Sequence, residues 1–344
     1  MSYLLPSAAR GEDFRRTMDA SLLQSSLTLL EEIRPGFRQT AFVGDEAWGD
    51  ARALDYGAYF DLALLEPSKN QDTDAFRAEA ADYLVSRLSR LNEAFPDKAA
   101  PCESGISVTT ISDAFYSPVQ VRRLIRWWDL ELENSLGLHP VSDEEFSQAR
   151  ECIASAVGWL ERCDPELHGE FTAIIREIVV ARPDLDRRSP FGAASSFALW
   201  GSMVIDCTFN DSWPRMFRTM AHETAHNLLF AIARNEPLVH NDPDERFPSP
   251  LREDLRPVDG IFHGAFVSAR ESLVQERLLC WHEETGALNE ADEALVLELL
   301  EISVANFWAC VDALQGVASL TELGSAILTD CEQFMRENFA LEDA

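Results

Sequence analysis

Residues 216–229 read MFRTMAHETAHNLL, and they contain His222-Glu223-Thr224-Ala225-His226. The run around them predicts one helix, from Ser212, with Pro214 in its first turn, to about Arg234. Residues four apart on a helix share a face, so His222 and His226 present their imidazoles in the same direction. Glu223 sits roughly a hundred degrees round the axis and flanks the pair. The alternative is two incidental histidines on a helix. The apolar character of the rest of that helix argues for a histidine pair built into a core rather than scattered on a surface.

The surrounding chain reads as mostly helical. Helices are predicted over 11–35, 74–95, 119–135, 143–162 and 168–183, from apolar residues recurring at three and four. In 74–95 the repeat runs through Phe76, Ala80, Tyr83, Leu84, Leu88 and Leu91. Ser142, with Glu145 three positions on, forms a capping-box signature for the fourth of these. Trp127 and Trp128 read as core packing, with a substrate groove as the alternative. Residues 187–211 break the pattern with Gly, Ser and Pro, and "FALWGSMVIDCTF" predicts one or two short strands, with a buried apolar coil as the alternative. Residues 235–264 then form a long polar connection holding five prolines. A structureless stretch of that length inside a compact domain is usually functional. A helix is expected from near Gly264 to about Glu284, and two more over 290–315 and 319–338. The expected fold class is mainly α with a small β element, on a metallopeptidase-like HExxH helix scaffold. A double-stranded β-helix is excluded. The parts are 1–186, helical, and 187–344, holding the histidine helix, expected as one continuous globular unit.

HExxH on a helix is the usual signature of a zinc peptidase, in which the two histidines bind the ion and the glutamate is general base. Two histidines do not close a site, and a third ligand is needed. The HExxHxxGxxH form is excluded, because Leu229 and Ile232 stand where it requires Gly and His. Glu271 or Glu276, on the following helix, are candidates. His263, in "DGIFHGAF", is favoured: it is expected just before that helix, between Gly260 and Gly264, which allow backbone to come close to an ion. His240 is a weaker candidate, and His139, His168 and His282 read as surface or core residues. Three histidines leave open positions on a six-coordinate ion, and zinc in a peptidase needs one. These residues leave the identity of the metal open.

"MAHETAHNLL" followed by "SPLREDLRPVDGIFHGAFV" resembles the HExxH-motif family of peptide-modification proteins, among the enzymes that tailor ribosomally made peptides. The likeness covers roughly 195–285, and the second block is more specific than HExxH alone. It implies an iron(II)- and 2-oxoglutarate-dependent hydroxylase that uses O₂ to oxidise the β-carbon of a residue in a peptide. It implies further that His222, His226 and His263 bind the iron. A bidentate arginine is the natural partner for the distal carboxylate of 2-oxoglutarate. Arg252, Arg256 and Arg270 are the candidates, with Arg252 first. The alternative pairs each with a local acid: Arg252 with Glu253 or Asp254, Arg270 with Glu271. Ser249 reads as a turn residue. Glu223 has no required base role in such a hydroxylase and is expected to orient a ligand or a bound water.

The chain has 344 residues, with 29 Lys plus Arg against 59 Asp plus Glu, a formal charge of −30. That field repels nucleic acid and anionic membranes, and it promotes solubility or favours a basic substrate. Seven scattered cysteines without a CxxC argue for reduced thiols and a cytoplasmic location. The start of the chain shows no secretory signal, and the apolar runs read as too short to span a membrane. The expected partner is a peptide or amino-acid substrate. Two other functions are open: a zinc metallopeptidase, and a non-catalytic peptide-binding protein.

Overall fold

The computed structural model describes residues 2–37, 51–64, 71–89, 105–129, 135–183 and 192–339. Its helices are α1 (Ala8–Ile33), α2 (Ala53–Ala63), α3 (Gln71–Ser89), α4 (Pro118–Asp129), α5 (Asp143–Cys163), α6 (Pro165–Ile174), α7 (Trp213–Ala233), α8 (Val258–Thr285), α9 (Glu290–Leu314) and α10 (Glu322–Asn338). Four strands, β1 (Ser107–Thr110), β2 (Glu177–Ala181), β3 (Ala193–Ala194) and β4 (Ser202–Asp206), form one sheet in the order β1-β2-β4-β3. The fold is mainly α with a small sheet, and no double-stranded β-helix is present among the described residues. The chain divides into two compact units. One takes Met1–Ala8, Arg150–Phe171 and Asn210–Ala344; the other takes Ala9–Ala149 and Thr172–Phe209. The divide expected at 186/187 falls inside Thr172–Phe209.

In the second unit β1, β2 and β4 run parallel, in register from Ser107↔Glu177 and Glu177↔Ser202, and only β3 is antiparallel. Every residue of β2 and β4 is buried. A strand covered on both faces reads as an unbroken apolar run instead of an alternation. That explains a correction. Residues 168–183 were expected as one helix, but the helix stops at Ile174 and "EIVVA" is one of the sheet's two inner strands. β1 and α2 also lie outside the expected elements. β4 falls within 197–209, as the β-formers there predict, and β3 precedes them at Ala193–Ala194. Residues 90–95, 130–134 and 187–191 of the expected elements lie outside the described residues. Trp127 and Trp128 are each 3% exposed within the core of this unit, and the Trp127 indole donates to Asp61 at 2.7 Å. Gly201, at φ +83°, turns the chain into β4 where a side chain would collide with the Arg15 guanidinium. The capping box at the head of α5 forms as read: Ser142 N donates to Glu145 Oε2 at 2.7 Å, and Glu145 N to Ser142 Oγ at 3.2 Å.

The first unit is built on α7, α8 and α9. α7 begins at an extended Ser212 with Pro214 in the first turn, as the sequence predicts. α8 starts at Val258, six residues before the expected Gly264, because Pro257 at its cap position fixes an extended entry and needs no N–H partner. His263 is therefore a helix residue and not a loop residue. Gly264 has a packing role: a Cβ there would stand 3.1 Å from Cys310 Sγ on α9 and 3.2 Å from Leu251 Cδ1. Thus α8 and α9 lie close together at this point, and Leu251 folds over the same turn. α9 is long and apolar enough, by length and composition alone, to cross a membrane, which departs from the sequence expectation of runs too short to do so. In this unit it packs along α8, and Ser303 and Phe307 of α9 are fully buried. The six described cysteines are free; Cys102 lies outside the described residues.

Candidate metal centre

One face of α7 carries a stripe at every fourth position. Arg218, His222, His226 and Phe230 are each half-buried, and every residue between them is buried. α8 runs antiparallel beside it, so His263 meets His226, and Glu271, two turns on, meets His222. Eight residues of helix span roughly 12 Å, which matches one turn of α7 plus the reach of two side chains.

The His222 and His226 ring centroids stand 5.0 Å apart, and those of His226 and His263 stand 5.5 Å apart. His226 Nδ1 lies 3.2 Å from His263 Nδ1. Two nitrogens on one ion, each at about 2.1 Å, stand about 3.0 Å apart at a right angle and about 3.4 Å apart at the tetrahedral angle. The observed separation falls between these values. As placed, no set of three or more His, Cys, Asp or Glu side chains among the described residues is gathered around a single point. His226 and His263 converge, while His222 has its Nδ1 on Glu271 Oε1 at 2.7 Å and its Nε2 4.0 Å from Glu223 Oε1. Three imidazoles, two of them converging, are a donor set that suits a divalent ion of borderline softness, zinc or iron(II). Phe230 closes the far side, 6.2 Å from the His226 ring and 5.4 Å from that of His263.

Charge is arranged around the histidines. Burial, the neighbouring His222 and His263, and Arg256 all hold His226 well below the usual histidine range. It is neutral, the form that donates a lone pair to a metal. At His222 burial also acts to lower the pKa, but the hydrogen bond and charge of Glu271, with Glu223, outweigh it and raise the value. Burial acts to raise Glu271, yet Arg218, His222 and Ser303 hold it below the usual carboxylate range. Its Oε2 accepts from Arg218 Nη2 at 3.0 Å and from Ser303 Oγ at 2.7 Å.

The three candidate arginines separate. Arg256 lies just before Pro257, the cap of α8, and Phe247 clamps its backbone through two hydrogen bonds of 2.8 Å. Its Nε lies 3.2 Å from Asp254 Oδ2, and its charge is felt at His226. Arg252, the first choice on sequence, binds the other oxygen of Asp254 at 2.9 Å with 45% of its side chain exposed. Partial burial would raise Asp254, but the bond and charge of Arg252, with Arg256, keep it low. Arg270 is not brought to the histidines. It is buried, pairs with Glu170 instead of the expected Glu271, and donates to the Leu4 carbonyl at 2.5 Å. Ser249 Oγ accepts from Leu251 N at 3.3 Å, the turn its sequence predicts. Glu276 accepts from the Cys280 thiol, and His240 is held by its backbone to Ser319, so neither joins the cluster. Sequence reasoning passed over Arg218, Phe230 and Ser303. The first two were signalled by the four-residue spacing that runs back and forward from His222; Ser303, on another helix, had no local signal. No known protein-family model matches the chain and no curated protein matches it either, so the chemistry of this cluster is argued from its own residues.

Proposed function

We propose that the chain is an iron(II)- and 2-oxoglutarate-dependent oxygenase that hydroxylates an unactivated carbon of a peptide or amino-acid side chain. The observation that supports it is the approach of His263 to His226 from a second helix. This adds a third imidazole, a donor set that would hold iron(II) with room beside it for a 2-oxo acid and O₂. Bound there, iron(II) would supply the oxidising chemistry, converting 2-oxoglutarate and O₂ to succinate and CO₂ while the substrate C–H becomes C–OH. The protein's own contribution is arrangement. His222, His226 and His263 hold the ion, with His226 kept neutral by its surroundings. Arg256 is the arginine best placed for the distal carboxylate of the cosubstrate. Phe230 limits water on one side. The peptide nature of the substrate rests on the sequence resemblance and not on the geometry.

One observation favours a zinc peptidase instead. Glu223 Oε1 lies 4.0 Å from His222 Nε2, on the edge that would face an ion, where a general base for a zinc-bound water belongs. Anaerobic reconstitution with iron(II) followed by 2-oxoglutarate separates the two. A visible charge-transfer band that is lost in His263→Ala, and succinate formation on admitting O₂, are the expected results. No band, with zinc held one per chain and a peptidase activity abolished by Glu223→Gln, overturns the proposal.

A further inference from the structure

We infer that Glu271 is a positioning residue that locks the His222 ring in the Nδ1–H tautomer, and that α9 holds Glu271 in place through Ser303. The inference rests on His222 being a metal ligand. Glu271 was also a candidate for the third ligand, and its surroundings argue against that role. One oxygen faces His222 Nδ1 at 2.7 Å. The other accepts from Arg218 Nη2 at 3.0 Å and from Ser303 Oγ at 2.7 Å. Both oxygens are engaged by protein donors, and the side chain is 2% exposed, so water does not compete.

The network is closed on itself. Arg218 Nε donates to Ser303 Oγ at 3.2 Å, and Gln275 Nε2 donates to the same oxygen at 3.1 Å. Two donors occupy its lone pairs, and its proton has two acceptors, Glu271 Oε2 at 2.7 Å and the Leu299 carbonyl of its own helix at 3.0 Å; the nearer, charged oxygen is the stronger of the two. Three helices thereby fix one carboxylate: Arg218 from α7, Gln275 beside Glu271 on α8, and Ser303 from α9. A neutral histidine facing that carboxylate has one favourable arrangement. With the proton on Nδ1 it donates to Glu271; with the proton on Nε2 it would set a lone pair against the carboxylate's own. The Nδ1–H form leaves the Nε2 lone pair for an ion, and a carboxylate behind a ligating histidine fixes both its orientation and its basicity. Arg218 thus serves a ligand on its own helix, one turn away, without touching it.

The test begins with the full chain in metal-free form. Long-range ¹H–¹⁵N spectra, taken at rising pH until the His222 ring is neutral and with His222 assigned by comparison with His222→Gln, are expected to show the Nδ1–H tautomer; an Nε2–H tautomer overturns the inference. Zinc alone is then titrated. Glu271→Gln is close in shape and is checked by thermal melting. It is expected to weaken zinc by about 10- to 100-fold. Ser303→Ala should weaken it in the same direction by less, with one zinc per chain retained in both. Unchanged zinc affinity in Glu271→Gln overturns the inference. So does a cobalt(II) spectrum showing one protein ligand fewer in Glu271→Gln, because Glu271 would then be a ligand. If neither zinc nor cobalt binds the wild-type chain, the metal site itself fails, while the tautomer of His222 still reports on Glu271 alone.

Discussion

Glu223 is the residue whose replacement divides the two chemistries. In a peptidase it is the base, and Glu223→Gln should lower hydrolysis by roughly 10²- to 10⁴-fold. In an oxygenase it touches no proton that must move and only orients a ligand or water, so succinate formation in the same variant should fall by no more than about 10- to 100-fold. Steady-state assays of both reactions on one preparation decide. Arg256 gives a second contrast. A charge-assisted hydrogen bond contributes on the order of 1.5–3 kcal/mol, so Arg256→Ala should raise the dissociation constant for 2-oxoglutarate by at least about tenfold. Arg252, nearly half exposed and already bound to Asp254, should raise it little when replaced. Calorimetric titration of the iron-free, zinc-loaded protein measures both. The histidine pair and its glutamate were legible because helical spacing is a local property. Arg256 could not be ranked over Arg252 from sequence. The ranking depends on a bridge between Phe247 and Arg256 that closes the loop and sets which arginine stands at the head of α8.

At the level of elements, α8 joins the site to the rest of its unit. Arg270, next to Glu271 on that helix, is buried against Glu170 and the Leu4 carbonyl, and Asp330 Oδ2 gathers Ser2 Oγ, Tyr3 N and Leu4 N at 2.7, 2.7 and 2.8 Å. Breaking one partner of a buried pair strands the other charge, so Arg270→Met or Glu170→Gln should each cost about 3–5 kcal/mol in urea unfolding. The double variant Arg270→Met/Glu170→Leu should recover much of that loss, because no lone charge remains. The helices themselves were readable from their periodicity, and their ends less so. His263 was expected in a loop because the two glycines around it suggested one; their effect at Gly264 is to let α9 approach. β1 and β2 were missed because four or five β-branched and apolar residues carry no period, and only the neighbouring strands make them a sheet.

For the whole molecule, charge and pH act together. Asp19, in the sheet-bearing unit, is pushed up from 3.8 to about 6 by burial, against the pull of Arg15 and a hydrogen bond from Tyr56. Between those values the folded chain keeps a proton that the unfolded chain has released. Its contribution to stability is therefore full below about pH 4 and is lost as the pH rises through about 6. The urea midpoint should fall over that window, and Asp19→Asn should flatten the part of the slope that belongs to this site. With a net charge of −30, added salt should raise the midpoint at neutral pH by screening self-repulsion. The antiparallel pairing of α7 and α8 also sets where the chain tolerates insertions and deletions. The loop between the two helices can change length around the exposed Asp242–Glu245 turn without moving either stripe. Inside the helices a single extra residue cannot be absorbed. One alanine added after Val267 would swing Glu271 about a hundred degrees away from His222 while leaving His263 in place. The feature by which other chains of this kind would be found is thus a pair of rigid spacers, R-x₃-HExxH-x₃-F and H-x₇-E, joined by a stretch whose length carries no information.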